Sequence, residues 1–168
     1  MKQEQVIKRY VIEILEALQL KNCFCHIELR LDTQMRPSII EVNPRVGGMY
    51  VTHSLKALRN LDFYSTLIDQ ITGNSLNLEL IEQPKDYYSM LAIYPEHSGT
   101  LRKIHGLEEA RSLTGVLQLN VHYQVGEHIG GDFEEVFVVD AWITSPTCEG
   151  ILALDNKIKQ LIRIEVTV

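Results

Sequence analysis

Apolar side chains in residues 3–20 recur at helical spacing (Val6, Ile7, Tyr10, Val11, Ile14, Leu15 and Leu18), which predicts an amphipathic helix with one buried stripe. The period then changes. The segments NCFCHIELRL (22–31) and PSIIEVN (37–43) are rich in β-forming residues and flank the polar DTQMR, which predicts a hairpin. Pro44 and the Gly47-Gly48 pair end its second strand in an irregular loop. Leu55, Leu58 and Leu61 predict a short helix, and Asp62 is placed as the N-cap of another that stops before Gly73.

The pattern breaks at Glu82-Gln83-Pro84-Lys85-Asp86, where a domain boundary is expected, giving parts 1–83 and 84–168. The second part predicts strands over 88–94, 99–104, 116–125 and 135–144, a short helix over 107–113 and a longer helix over 148–162. Strand-like alternation from Arg163 to Val166 closes it. Gly126–Asp132 lies between two strand-like runs and reads as a hairpin loop rather than a phosphate cradle. The expected class is α+β throughout.

Composition narrows the partners. With 22 acidic against 16 basic residues and a net charge of −6, the chain lacks the electrostatic footprint of a nucleic-acid binder. No apolar run approaches the roughly 18–20 residues that span a membrane, and the N-terminus shows no signal-peptide pattern, so a cytoplasmic protein is expected. Three cysteines are an odd number, which argues against a disulfide framework. Cys23 and Cys25 are read as small buried hydrophobes rather than metal ligands.

The hairpin carries the chemistry. With its turn centred between Gln34 and Met35, Glu28 faces Glu41, His26 faces Asn43, and all four side chains share one face. Directly opposed side chains lie roughly 4.5–5.5 Å apart, and like charges there destabilise unless neutralised. A hard divalent cation supplies the neutralisation, since Mg²⁺ takes oxygen ligands, often one or two carboxylates together with substrate phosphates. A solvated hairpin face with no metal fits the spacing about as well. Arg45, a planar donor suited to phosphate or carboxylate, and Gly47-Gly48, which permit close backbone approach, tip the balance toward a phosphoryl-transfer site. His53 and Ser54 do not complete a hydrolase triad. The remaining histidines (His97, His105, His122 and His128) are expected mostly to face solvent, and Trp142 to be core.

The string His26-Ile27-Glu28 followed by Glu41-Val42-Asn43-Pro44-Arg45-Val46-Gly47-Gly48 resembles the metal-binding hairpin of ATP-grasp enzymes. The resemblance implies Glu28, Glu41 and Asn43 as ligands of Mg²⁺ (or Mn²⁺) bridging the phosphates of ATP. It implies Arg45 as the group that stabilises the transferring phosphoryl, and Gly47 and Gly48 as backbone contacts to the carboxylate substrate. His26 is given an orienting role behind the ligands. Leu101-Arg102-Lys103-Ile104, Gly106-Leu107-Glu108-Glu109-Ala110-Arg111 and Leu161–Val166 are similar to the small C-terminal domain of bacterial L-amino-acid ligases, which join two amino acids through an acyl-phosphate. Biotin-carboxylase-like and carbamoyl-phosphate-synthetase-like branches share the hairpin.

The expected architecture is therefore the C-terminal half of an ATP-grasp domain (antiparallel sheet with helices) followed by a small α+β domain. The phosphate loop, phosphate-binding lysines and adenine hinge of a complete ATP-grasp enzyme are not found in these 168 residues. A missing N-terminal lobe or a partner chain is expected to supply them, and the chain alone is expected to be inactive as a ligase. The alternative is a non-catalytic interaction or oligomerisation module, including a homo-oligomer.

Overall fold

A computed structural model describes residues 2–76, 78–81, 85–130 and 137–167, with backbone only at residue 2. The chain forms two compact units, Met1–Glu82 and Gln83–Val168.

The first unit opens with α1 (Lys2–Ala17), whose stripe places Ile14 in the core and Val6, Ile7, Tyr10, Val11 and Leu15 half-buried. The helix ends earlier than the 3–20 periodicity predicts, because Gln19 adopts a left-handed φ of 55° and Leu20 N–H folds back to Leu15 O at 3.0 Å. Leu18 is consequently exposed. The antiparallel hairpin β1 (His26–Leu31) and β2 (Pro37–Asn43) follows. Its first strand starts at His26 rather than Asn22. Cys23 is therefore exposed and Cys25 only half-buried, which corrects their reading as buried hydrophobes, although burial still pushes the Cys25 thiol up. Between the cysteines, Phe24 packs on buried Phe63 with ring centroids 4.5 Å apart.

Helix α2 (Val51–Arg59) ends at Asn60 in the left-handed region, so Leu61 lies beyond it. Helix α3 (Phe63–Thr72) matches its sequence signals. The Asp62 carboxylate accepts the Ser65 N–H at 3.1 Å, and Gly73 terminates the helix with φ 75°. Segment 79–81 is tied back to the end of α2, where Ile81 N–H donates to Arg59 O and the Asn60 amide donates to Glu79 O.

The second unit holds β3 (Tyr87–Ile93), β4 (Gly99–His105), α4 (Leu107–Arg111), β5 (Val116–Val121), β6 (His128–Ile129), β7 (Val139–Ser145), α5 (Cys148–Leu161) and β8 (Arg163–Thr167). Two three-stranded antiparallel sheets result, in the orders β3-β7-β5 and β6-β4-β8. Val139, Ala141 and Ile143 of the central strand β7 are fully buried in a core shared with Leu101, Ile129 and Ile158. Helix α5, capped by Thr147 at Gly150 N–H, packs on β7 and β3.

Two expectations fail here. β5 stops at Val121, four residues short of the predicted strand. Residues 128–129 are not a hairpin tip but a short strand on the edge of β4, prepared by mutual bonds between Leu101 and the 126–127 turn. The predicted strand 135–144 begins at Val139, and its first two residues, like Gly131 and Asp132 and the expected boundary at 83/84, lie outside the described residues.

Candidate metal and phosphate site

The turn that joins β1 to β2 is built by Asp32. Its carboxylate accepts the N–H groups of Gln34 and Arg36, both at 2.9 Å, and the Arg36 Nε–H at 2.7 Å. Asp32 and Arg36 also pair through the backbone at 3.1 Å, with Met35 in the left-handed region at φ 62°. These bonds, the Arg36 backbone N–H first, hold the Asp32 carboxyl below the usual carboxylate range. The turn is thus a three-residue connection centred on Gln34, not between Gln34 and Met35.

A regular ladder from that turn would set Glu28 opposite Ile40 and rotate Glu41 to the other face. Instead, the register runs Leu31↔Pro37, Arg30↔Ser38, Leu29↔Ile39 and then Glu28↔Glu41. Ile40 is the extra residue of a β-bulge, and it is exposed. Beyond the bulge, His26 faces Asn43, so both expected pairs form although the expected pairs nearer the turn do not.

One ligand atom from each of His26, Glu28 and Glu41 lies within 4.8 Å of the others. His26 Nε2 is 3.1 Å from Glu28 Oε1 and 3.8 Å from Glu41 Oε1. Asn43, cross-strand from His26, has a buried Nδ2 with no hydrogen-bond partner. Oxygen and nitrogen of a carboxamide interchange by rotation about χ2, so this is a buried polar position that a cation would satisfy through Oδ1. Two carboxylates and a buried carboxamide on one face are a donor set that fits a hard divalent ion.

The loop after β2 turns sharply, with Arg45 N–H donating to Asn43 O at 2.8 Å. The exposed Arg45 guanidinium donates to Val46 O at 2.9 Å and pairs with neither glutamate. The two glycines differ. Gly48 is exposed, and a Cβ there would meet nothing within 4 Å. Gly47 is buried, and a Cβ there would lie 2.8 Å from His26 Nδ1 and 3.0 Å from the Val51 side chain. Its role as a close-packing position behind His26 was not legible from the Gly-Gly pair, since it depends on a residue twenty-one positions upstream.

The second unit holds a polar group that sequence reading missed. Asp140 is 4% exposed, accepts the Asn120 amide at 3.1 Å and is bonded to His122 Nε2. His122 is thus anchored rather than simply solvent-facing. The signal was present in the alternation Gln118, Asn120, His122, which runs along β5 and one residue past its end, with Gln118 and Asn120 paired to Trp142 and Asp140 of β7. On the same face Tyr88 and Trp142 stack, with centroids 5.5 Å apart. Among the described residues no helix is long and apolar enough to cross a membrane.

The chain is similar to several known proteins. Residues 91–167 match the family described as L-amino acid ligase C-terminal domain 2. The alanine–anticapsin ligase of Bacillus amyloliquefaciens is 30% identical over 97 residues, 54% of this chain and 21% of that protein. The enzyme of the same name from Bacillus subtilis (strain 168) is 31% identical over 85 residues, 49% of this chain and 18% of that protein. The L-amino acid ligase of Bacillus licheniformis superposes with a TM-score of 0.88 at 23% identity, covering 99% of this chain and 42% of that one. A phosphoribosylglycinamide synthetase from Anaerococcus prevotii does so at 0.77 and 18% identity, covering 98% of this chain and 42% of that one. The chain therefore spans less than half the length of each of these relatives. It has the fold of the C-terminal portion of these ligases, and its residues 91–167 are similar to an L-amino acid ligase C-terminal domain.

Proposed function

We propose that this chain supplies the metal- and phosphate-binding part of an ATP-dependent carboxylate–amine ligase. The observation that carries the reading is the convergence of Glu28 and Glu41 on one face of the hairpin, beside the unpartnered Asn43 amide. Glu28, Glu41 and Asn43 would hold Mg²⁺ or Mn²⁺, which when bound neutralises charge on the ATP phosphates. Arg45, exposed on the next loop, would bind the γ-phosphoryl oxygens through its planar N–H fork. The substrate carboxylate would attack the γ-phosphorus, giving an acyl-phosphate and ADP. The amine would then attack the acyl carbon, and inorganic phosphate would leave with the formation of the amide.

The remaining nucleotide contacts would come from a further part of such a ligase, or from a partner. A second reading, an interaction module, draws on Tyr64, Ile68 and Ile71, which form an exposed apolar stripe along α3.

Thermal melts with and without Mg²⁺ or Mn²⁺ test the metal reading. An ion that binds only the folded chain raises Tm by mass action. The rise should be small at millimolar metal without nucleotide, and it should vanish in Glu28→Gln/Glu41→Gln. That double variant should match or exceed the metal-free wild type in stability, because the opposed charges are gone. Melts indifferent to metal, with a double variant less stable than the metal-free chain, would overturn the reading.

A further inference from the structure

Nothing in a magnesium–phosphate site calls for a nitrogen ligand, yet His26 stands with the two glutamates. Its Nε2 is hydrogen-bonded to Glu28 Oε1 at 3.1 Å and lies 3.8 Å from Glu41 Oε1. The ring is held from its other edge. The backbone at Gly47 sits so close that a Cβ would come within 2.8 Å of Nδ1 and 3.1 Å of Cε1. The side chain is only 28% exposed.

We propose that His26 is itself a metal ligand, so that the hairpin is a His–Glu–Glu site that prefers Zn²⁺ and Mn²⁺ to Mg²⁺. The proposal rests on the metal reading of Glu28 and Glu41 and adds the residue that sets which ion they take. Donors about 2.0–2.2 Å from a tetrahedral zinc lie roughly 3.2–3.6 Å from one another. The two separations at His26 bracket that range, and a bound ion would take the place of the Nε2–H proton that now bridges His26 and Glu28. Imidazole suits zinc and other first-row transition ions, and zinc binds nitrogen–oxygen sites more tightly than manganese. Magnesium keeps its waters and its oxygen ligands, and gains nothing from the ring. Gly47 is what allows this arrangement, since any larger residue would push the imidazole away from its place beside the carboxylates.

The test uses the full chain with Cys23, Cys25 and Cys148 changed to Ser, so that thiolates do not take up zinc. Calorimetric titrations with ZnCl₂, MnCl₂ and MgCl₂ are compared for this background, His26→Gln and Glu28→Gln/Glu41→Gln, with circular dichroism confirming folding. Bound Mn²⁺ is also examined by electron spin-echo spectroscopy for coupling to an imidazole ¹⁴N. The expected result is Zn²⁺ binding at least about 10-fold tighter than Mg²⁺, with a ¹⁴N coupling to Mn²⁺. His26→Gln should lose the coupling and most of the Zn²⁺ advantage while changing Mg²⁺ binding less than about twofold. If His26→Gln binds zinc like the background, or Mn²⁺ binds without ¹⁴N coupling, His26 is not a ligand and the carboxylate reading stands alone. If zinc binding survives in the Glu28→Gln/Glu41→Gln variant, the ion sits elsewhere and the proposal fails. If no ion binds at millimolar concentration, both readings fail.

Discussion

Glu28 and Glu41 face each other only because Ile40 is bulged out of the strand between Glu41 and the turn. The Asp32 turn imposes a register in which these glutamates would lie on opposite faces, and the bulge shifts it by one residue. Deleting Ile40 should therefore regularise the ladder and keep Glu41 opposite Glu28. Inserting one alanine after Ile40, with the one-residue bulge kept, should set Glu41 opposite Ile27 on the other face. Titration with Mn²⁺ checks this. The deletion is expected to retain affinity within about threefold, because both carboxylates stay on one face, and the insertion to lose it.

Gly47 and Gly48 should respond differently to alanine. Gly47→Ala drives a methyl group into His26 and Val51 and is expected to cost about 1–3 kcal/mol in chemical denaturation, with weakened metal binding as the imidazole shifts. Gly48→Ala meets open space and should change stability by less than about 0.5 kcal/mol. Equal effects at the two positions would show that the loop, rather than the His26 contact, sets the requirement.

Acid should loosen the first unit at defined points. The Ser65 N–H, with Lys56 nearby, lowers the Asp62 carboxyl, and the Arg36 bonds lower that of Asp32. A carboxyl lowered by folding contributes stability that is present above its unfolded pKa and is lost as pH falls through the folded one. Tm followed from pH 7 down through the carboxylate range should fall, and Asp62→Asn and Asp32→Asn should each flatten that fall. Asn can still cap a helix or close a turn, so both variants should remain folded at neutral pH.

Gly106 supports the second unit in a different way. It holds φ 76° at the start of α4, and a Cβ would lie 2.1 Å from Leu161 O at the end of α5. Backbone cannot rotate out of the way as a side chain can. Gly106→Ala should cost about 2–4 kcal/mol in urea unfolding, combining the conformational penalty with displacement of α5. A cost under about 1 kcal/mol would mean that the α4–α5 junction adjusts freely.

Sequence alone determined whatever depends on neighbours a few positions apart. The Asp62 cap and Gly73 stop bracket α3 because their bonds reach only three to five residues along the chain. The stripe of α1 follows from side-chain periodicity in the same way, whereas Trp142, expected in the core, is only half-buried on β7. The closeness of Glu28, Glu41 and Asn43 was legible because these residues lie in one hairpin. Tertiary structure decided the rest. The bulge at Ile40, the closeness of Gly47 to His26, the edge strand at 128–129 and the bond between Asp140 and His122 all join residues whose proximity no local period encodes. Each depends on what the folded chain brings alongside: a turn offset that must be absorbed, a ring that needs space, an open strand edge that needs a partner, and a buried charge that needs a donor.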